Sequence, residues 1–165
     1  AIVDHMEWTG GSLSGYMLTL HETGELVARV YTGTDVVNDI RTPISAGSWQ
    51  HVAMTYDGVQ LKLYLNGNLE ESTSASGLID YSPVPSSHNI GRFHDSNEEY
   101  FFNGQIDEVR IWDVARTQGQ IQSAFSTSLT SGSGLIASYV FNQSSYTLLD
   151  QTINGHNGGL NGGVS

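Results

Sequence analysis

"GSWQHVAMTYDGVQLKLYLNGNLEEST", residues 47–73, carries the clearest fold signal in the chain. Residues 49–56 alternate between the two faces expected of a strand, and Asp57-Gly58 then supplies a turn. The next residues place Leu61, Leu63 and Leu65 on one face of a second strand. Asn66-Gly67 favours a tight type I′ turn, because both of its central positions need a positive φ. The stretch therefore predicts an antiparallel β-meander.

The rest of the chain continues this pattern of short strands and turns. Residues 16–31 predict a hairpin around Glu22-Thr23-Gly24, and residues 88–93, 105–112 and 134–142 predict further strands. Residues 118–125 predict the one helix, with Thr117 as N-cap and Gln120 as its capping-box partner. Residues 74–88 and the Gly/Asn-rich residues 143–165 predict loops or a linker. We therefore expect an all-β protein: a single antiparallel β-sandwich, or jelly roll, over residues 1–165.

Composition excludes several classes of partner. The 165 residues carry a net charge of −11 with only six Lys and Arg, so they lack the basic cluster that nucleic acid or an anionic membrane requires. No apolar run reaches the length of a membrane helix, so membrane insertion is not expected. The absence of cysteine excludes disulfides and thiolate metal sites.

Several motifs together resemble one family. "SWQHVAMTYDG", "LKLYLNGN", "FFNGQIDEVRIW" and "ARTQGQI" resemble the corresponding strands and helix start of laminin-G-like, or concanavalin A-like, jelly-roll domains, over roughly residues 16–142. The resemblance implies a β-sandwich that acts as a recognition module in a larger secreted or cell-surface protein. Such domains usually begin with additional strands before the point that matches Ala1. Either another polypeptide segment supplies these strands, or residues 1–8 and 135–165 replace them.

Asp107 and Glu108 are the obvious candidates for an acid/base pair. Neighbouring residues of an extended strand point to opposite faces, so the two carboxylates are not expected to reach one substrate. The retaining glycosidases of the related fold place two acids on one strand face, whereas Gln105 and Val109 or Ile111 stand at those positions here. We expect no enzyme activity. Asp107 then either accepts neighbouring backbone N–H groups, with Glu108 paired to Arg110 or solvent, or serves as a calcium ligand.

The acidic loop "HDSNEEY", residues 94–100, is the main candidate for a Ca²⁺ site. Asp95, Asn97 and Glu99 offer oxygen ligands at alternate positions, although the spacing is not that of an EF-hand. Asp107 is a further candidate ligand. Asp35, Asn38 and Asp39 form a second acidic group. Such clusters are also commonly solvated loops.

Aromatic side chains near loops are candidates for stacking on sugar rings, because a flat apolar face suits both partners. The candidates are Trp8, Tyr81, Phe93, His94 and Tyr100. Trp49 and Trp112 lie in predicted strands and are expected in the core. The six histidines show no paired metal-ligand spacing, and no nucleophile elbow or phosphate loop is present.

The expected function is therefore non-catalytic binding of carbohydrate, or adhesion to a surface protein, through loops at the rim of the sandwich, outside the cell or on its surface. The alternative is a structural module of a surface protein or filament that pairs with neighbouring chains through open sheet edges. The resemblance supports the predicted fold more strongly than it supports either predicted function.

Overall fold

The computed structural model describes residues 1–9, 12–33, 36–82, 88–94, 99–142 and 146–161. All of its paired strands are antiparallel within these residues. The elements in chain order are β1 (Val3–Thr9), β2 (Ser12–Leu20), β3 (Glu25–Thr32), β4 (Val36–Pro43), β5 (Val52–Tyr56), β6 (Gln60–Leu65), β7 (Asn68–Ser74), β8 (Asn89–Ile90), β9 (Arg92–His94), β10 (Glu99–Phe101), β11 (Val109–Trp112), α1 (Gln118–Ala124), β12 (Leu135–Tyr139), β13 (Thr147–Leu148) and β14 (Gly158–Gly159).

The first compact unit, Ala1–Gly104, contains two main sheets. A five-stranded sheet has the order β4-β3-β2-β1-β8, and a three-stranded meander has the order β5-β6-β7. Leucines of the meander, Leu61 and Leu63, are fully buried against Leu26 and Val30 of the larger sheet. Burial of these alternating aliphatic side chains joins the two sheets face to face, which makes the unit a β-sandwich.

Side chains also pack on the opposite face of the five-stranded sheet. Met6, Met17 and Tyr31 are buried there, and Phe93 of β9 packs against them. Asp4 shares this face, since it lies between strand neighbours that point the other way, and it is fully buried. Its Oδ2 accepts a hydrogen bond from Asn89 Nδ2 at 3.3 Å. Strand β1 therefore has packed side chains on both faces.

The second compact unit, Gln105–Ser165, contains the β11-β12 pair, the helix and the β13-β14 pair. Asp150 organises its last part, because its carboxylate accepts the backbone N–H groups of Ser138, Thr152 and His156. Burial acts to raise the pKa of Asp150, but these hydrogen bonds outweigh it and hold that pKa below its usual value. The residues described within 143–165, predicted as a Gly/Asn-rich loop, thus include two short strands and an ordered turn.

The local turn and helix predictions are confirmed. Asn66 and Gly67 have φ values of 50° and 79° between β6 and β7, as a type I′ turn requires. Thr117 accepts the Gln120 N–H while the Gln120 side chain accepts the Thr117 N–H, so the predicted capping box begins α1. The hairpin predicted over residues 16–31 is formed by β2 and β3.

Two sequence predictions are wrong. Trp49, expected in the core, is 66% exposed, because β5 begins only at Val52 and Trp49 lies in the irregular segment before it. The strand expected over residues 105–112 begins at Val109. Glu108 has a φ of 55°, a left-handed conformation that interrupts the extended backbone before that point. Trp112 is half-buried, with the Arg116 guanidinium 4.1 Å from its ring centroid.

Candidate functional site

The segment of residues 76–82, here called the crossing segment, runs from the meander to the five-stranded sheet. Gly77 N donates to Gly58 O at 3.1 Å, and Tyr56 Oη donates to Gly77 O. Further along, Asp80 N donates to Tyr31 O at 2.8 Å. Gly15 N in turn donates to Asp80 O at 2.7 Å. These bonds tie an otherwise irregular segment to the β5-β6 turn, to β3 and to β2, where it can hold side chains in place.

An open cleft of about 640 Å³ lies along this segment. It is lined by Thr32, Gly33 and residues 76–80. The Thr32 hydroxyl accepts a hydrogen bond from Asn38 Nδ2 at 3.0 Å, which orients it at the edge of the cleft. Asp80 Oδ1 accepts the Ser82 N–H at 2.9 Å, an Asx-type contact that shapes the turn after the cleft. The cleft thus combines apolar walls with hydroxyl and carboxylate oxygens.

Beside Asp80, four rings form a continuous group, here called the ring cluster: His5, Tyr16, Tyr81 and His88. The rings of His5 and His88 are parallel, with an interplanar angle of 1° and a centroid separation of 3.6 Å. His5 also meets Tyr16 and Tyr81 at centroid distances of 5.6 and 5.5 Å. Tyr81 is 41% exposed, so the cluster presents an aromatic surface to solvent.

Both phenols of the ring cluster stay protonated over the physiological range. Burial, followed by the nearby Tyr81 and the charge of Asp4, raises the pKa of Tyr16 far above its usual value. Burial likewise raises the pKa of Tyr81. Tyr16 Oη lies 2.9 Å from His88 Nε2, within hydrogen-bond distance. The two phenols therefore offer neutral rings with polar edges.

The structure divides the predicted aromatic residues between two places. Tyr81 belongs to the ring cluster. Phe93 and Tyr100 are cross-strand partners of β9 and β10, with ring centroids 6.1 Å apart. Phe93 packs against the opposite face of the five-stranded sheet, and His94 is exposed opposite Glu99. Strand alternation explains this separation, since the ring cluster and Phe93 lie on different faces of β1.

Trp8 lies in β1, paired in register with Leu13, but its side chain is outside the described residues. Its role in ligand binding therefore stays a prediction.

Of the predicted calcium ligands, Asp95 and Asn97 lie outside the described residues, as does Asp35. Glu99 Oε1 forms an ion pair with Arg92 Nε at 2.5 Å. Asp39 Oδ2 contacts both Arg29 and Arg41, at 3.0 and 3.1 Å. In the part of the chain that the structure describes, no group of three or more His, Asp or Glu residues is arranged to hold a metal ion. The calcium prediction for the acidic loop stays untested by these contacts.

Asp107 and Glu108 both have structural partners. Asp107 Oδ1 accepts the Glu108 N–H at 2.8 Å and the Phe141 N–H at 3.4 Å. The Glu108 carboxylate accepts hydrogen bonds from Arg110 and Ser128. Arg110 extends this network by donating to the Ala124 carbonyl at 2.8 Å, at the end of α1. This confirms the hydrogen-bonding role expected for the two acids, and the contacts form no catalytic pair.

Three members of the ring cluster were missed by the sequence predictions: His5, Tyr16 and His88. A usable signal was present for two of them. Gly10-Gly11 predicts a turn, and strands that pair symmetrically around it place His5 opposite Tyr16, as the register shows. No local pattern indicated His88, because its contact with Tyr16 joins residues 72 positions apart.

Known proteins match the chain in three ways. A model of the concanavalin A-like lectin/glucanases superfamily matches residues 1–122. Pappalysin-1 of Mus musculus is 38% identical over 82 residues, which are 49% of this chain and 5% of that protein. Pappalysin-1 of Homo sapiens is 35% identical over 82 residues, with the same shares. The chain therefore corresponds to only a small part of these relatives.

A crystal structure from Bacteroides ovatus of a "putative carbohydrate binding protein" has the same fold. It aligns with 96% of this chain and 48% of its own, with a TM-score of 0.70 and 24% identity. Among the described residues, no helix has the length and apolar character needed to cross a membrane. The family match and the engaged carboxylates support a non-catalytic binding module. With a family model matching residues 1–122 of its 165, the chain belongs to the concanavalin A-like lectin/glucanases superfamily.

Proposed function

We propose that this chain is a non-catalytic carbohydrate-recognition module, and that the cleft and the ring cluster together form its glycan-binding surface. The observation that carries the proposal is the exposed Tyr81 ring beside a cleft lined with hydroxyl and carboxylate oxygens. The protein acts outside the cell or on its surface as part of a larger protein, where repeated domains would add strength to individually weak contacts.

The chemistry of the site suits a sugar. One face of a pyranose ring is apolar and stacks on an aromatic ring, while its hydroxyls need donors and acceptors at the edge. Tyr81 supplies the ring, and Asp80 and Ser76 supply oxygens along the adjoining cleft. The cleft's volume of about 640 Å³ lies within the range of small-molecule sites. The family name and the name of the Bacteroides ovatus protein point in the same direction.

The test is a glycan array followed by titration calorimetry of any hit with three variants. Tyr81→Ala removes the exposed ring and should weaken binding by about fivefold or more, because a stacked ring contributes roughly 1 kcal/mol or more. Tyr146→Ala removes a ring that is 89% exposed in the other unit and should change nothing. Tyr100→Ala tests the other predicted aromatic position. Loss of binding with Tyr100→Ala alone would place the ligand on the β9-β10 hairpin and contradict the assignment.

A bound Ca²⁺ at the acidic loop is part of the proposal, with Asp95, Asn97 and Glu99 as the ligand set. Carboxylate and amide oxygens are the ligands that Ca²⁺ takes in proteins. Such an ion would bind sugar hydroxyls directly or hold the loop in place. Glu99 would have to give up its ion pair with Arg92 to bind the ion. Asp107 is a weaker candidate, since its Oδ1 already accepts two N–H groups.

A structural or assembly role is the second candidate, and the terminal strands of the two sheets favour it. Strands β4 and β7 each have one paired neighbour among the described strands, which leaves edges that a strand of another polypeptide could extend. Glu70 and Glu71 lie exposed on β7 and oppose pairing with another acidic copy of the chain. Light scattering over a concentration series would detect self-assembly, and a monomer at every concentration would exclude pairing between copies.

A further inference from the structure

The stacked pair of His5 and His88 lies at the centre of the ring cluster. The two imidazoles face each other at 3.6 Å, and His88 is joined to Tyr16 through its Nε2. His5 meanwhile contacts the exposed Tyr81. The position of the Tyr81 ring, and therefore of the surface proposed to hold a sugar, depends on this stack.

Two parallel imidazoles at this distance take up a first proton more easily than a second. One imidazolium stacked on one neutral ring is compatible with close contact, because the neutral ring offers its π face to the cation. Two imidazoliums at the same separation repel each other directly. Interacting groups of this kind titrate as a pair in two separated steps, rather than as two independent histidines.

Acidic groups and neutral phenols both surround the stack. On β1, Glu7 lies two residues from His5 on the same face, and Asp4 lies on the other face. On β2 the facing group is Tyr16, a neutral phenol, and the crossing segment contributes Tyr81 and Asp80. Acids on β1 and on the crossing segment favour protonation of the pair, whereas repulsion between the two rings acts only on the second proton.

His88 is attached to the sheet only through a short strand, so repulsion between the two charged rings can move it. It immediately precedes β8, which has only two residues and pairs with β1 through Val3↔Ile90 and Asp4↔Asn89. Separation of the imidazoles therefore needs the movement of a strand end rather than of a whole sheet. Movement of His88 would remove the support of His5, and with it the contact that holds Tyr81.

We propose that the His5–His88 stack makes ligand binding at the ring cluster dependent on pH: the site binds while the pair carries at most one proton and releases its ligand in mildly acidic solution, when both rings are charged. This inference rests on the proposed carbohydrate-binding function. Histidine ordinarily titrates near pH 6.5, so coupling places the second step in the mildly acidic range that secreted proteins meet.

The first arm of the test needs no ligand. NMR titration of the imidazole signals of the full chain should show two steps for His5 and His88, separated by more than about one pH unit. His5→Gln should leave His88 with a single ordinary step. His156→Gln, a variant in the other unit, should leave both steps in place. Independent single-step titration of His5 and His88 in the unaltered chain would overturn the inference, whether or not sugars bind.

The second arm uses a panel of methyl α- and β-hexopyranosides as the probe, in saturation-transfer NMR. Saturation transfer should be observed at about pH 7 and should be about tenfold weaker at about pH 5, as expected when ligand release is coupled to proton uptake. His88→Gln cannot gain charge at this position, so any transfer that this variant retains should be equal at pH 7 and pH 5. Transfer that is equal at both pH values overturns the gating. Absence of transfer at every pH, with coupled titration intact, overturns the proposed function and the gating that rests on it.

Discussion

Glu108 shows how one residue can depart from the pattern of its neighbours. Alternation over residues 105–112 predicts a continuous strand, with Asp107 and Glu108 on opposite faces. Instead Asp107 accepts the N–H of Glu108 through its side chain, and Glu108 has a φ of 55°. A short acidic side chain that bonds its neighbouring backbone competes with strand pairing. The cost of the left-handed backbone is offset by the contacts of Glu108 with Arg110 and Ser128.

Asp4 is a second residue whose surroundings matter more than its type. It is fully buried between β2 and β8, and desolvation raises its pKa to about 6, although Asn89 and backbone N–H groups act against this. The unfolded chain releases the proton near the ordinary value of 3.8. The folded protein therefore holds a proton in the window from 3.8 to about 6 that the unfolded chain has lost.

This difference predicts a stability contribution that is fully present below pH 3.8 and is lost as the pH rises through about 6. The loss at neutral pH is roughly 3 kcal/mol. Asp4→Asn cannot ionise and keeps an acceptor for Asn89, so it should be more stable than the unaltered protein at pH 7 and similar at pH 4. Urea unfolding at both values measures this difference. Glu22→Gln, at an exposed acid, is the control, and a constant difference between Asp4→Asn and the unaltered protein would contradict the prediction.

The β1-β2 hairpin is the element that brings the candidate site together. It pairs His5 with Tyr16 and Met6 with Gly15. Gly15 has a φ of 88°, and its N–H bonds the crossing segment at Asp80. A Cβ at Gly15 would lie 1.8 Å from the His5 carbonyl oxygen. The hairpin therefore requires glycine at this position for both its backbone conformation and its close approach to β1.

Gly15→Ala should destabilise the protein by more than about 2 kcal/mol, because it adds a backbone clash to the cost of about 1–2 kcal/mol for a left-handed alanine. Gly24→Ala is the matched control. Its φ is 80°, but nothing lies within 4 Å of the added Cβ, so it should show the conformational cost alone. Urea unfolding compares the two. A Gly15→Ala protein that is insoluble while Gly24→Ala folds agrees with this expectation, whereas equal losses would refute the steric argument.

Across the chain as a whole, the acidic charge sets the conditions for ligand and ion binding. A net charge of −11 from 17 acids and six basic residues attracts cations and repels anionic partners. Several acids are already engaged, as the pairs Glu99–Arg92 and Asp39–Arg29 show. In the acidic loop of residues 94–100, Asp95 and Asn97 are the remaining candidate ligands.

Thermal unfolding with and without Ca²⁺ tests the loop. At about ten times its dissociation constant, a specifically bound ion should stabilise the fold by about 1.4 kcal/mol, which is a rise of a few degrees in Tm. Asp95→Asn should abolish that rise. Asp57→Asn should keep it, since Asp57 serves the β5-β6 turn by accepting the Val59 and Gln60 N–H groups. A Tm that is the same in Ca²⁺, Mg²⁺ and chelator would exclude a stabilising calcium site.

The local elements of this protein follow from its sequence. The meander, the Asn66-Gly67 turn and the Thr117 capping box are each specified by residues a few positions apart. Turn chemistry, capping and alternation act over such short distances, so pattern alone predicts them. The all-β class follows from their number and spacing. The same short reach explains the error at Trp49. The alternating pattern extends back to Trp49, whereas strand β5 begins only at Val52.

The composition of the candidate site depends on the tertiary structure. Its four rings come from β1, β2, the crossing segment and the residue before β8, and Tyr16 meets His88 across 72 positions. The aromatic residues predicted from loops were separated instead, because strand alternation placed Tyr81 and Phe93 on different faces of β1. Local patterns determine which elements form, whereas register and the path of the chain between sheets determine which side chains meet.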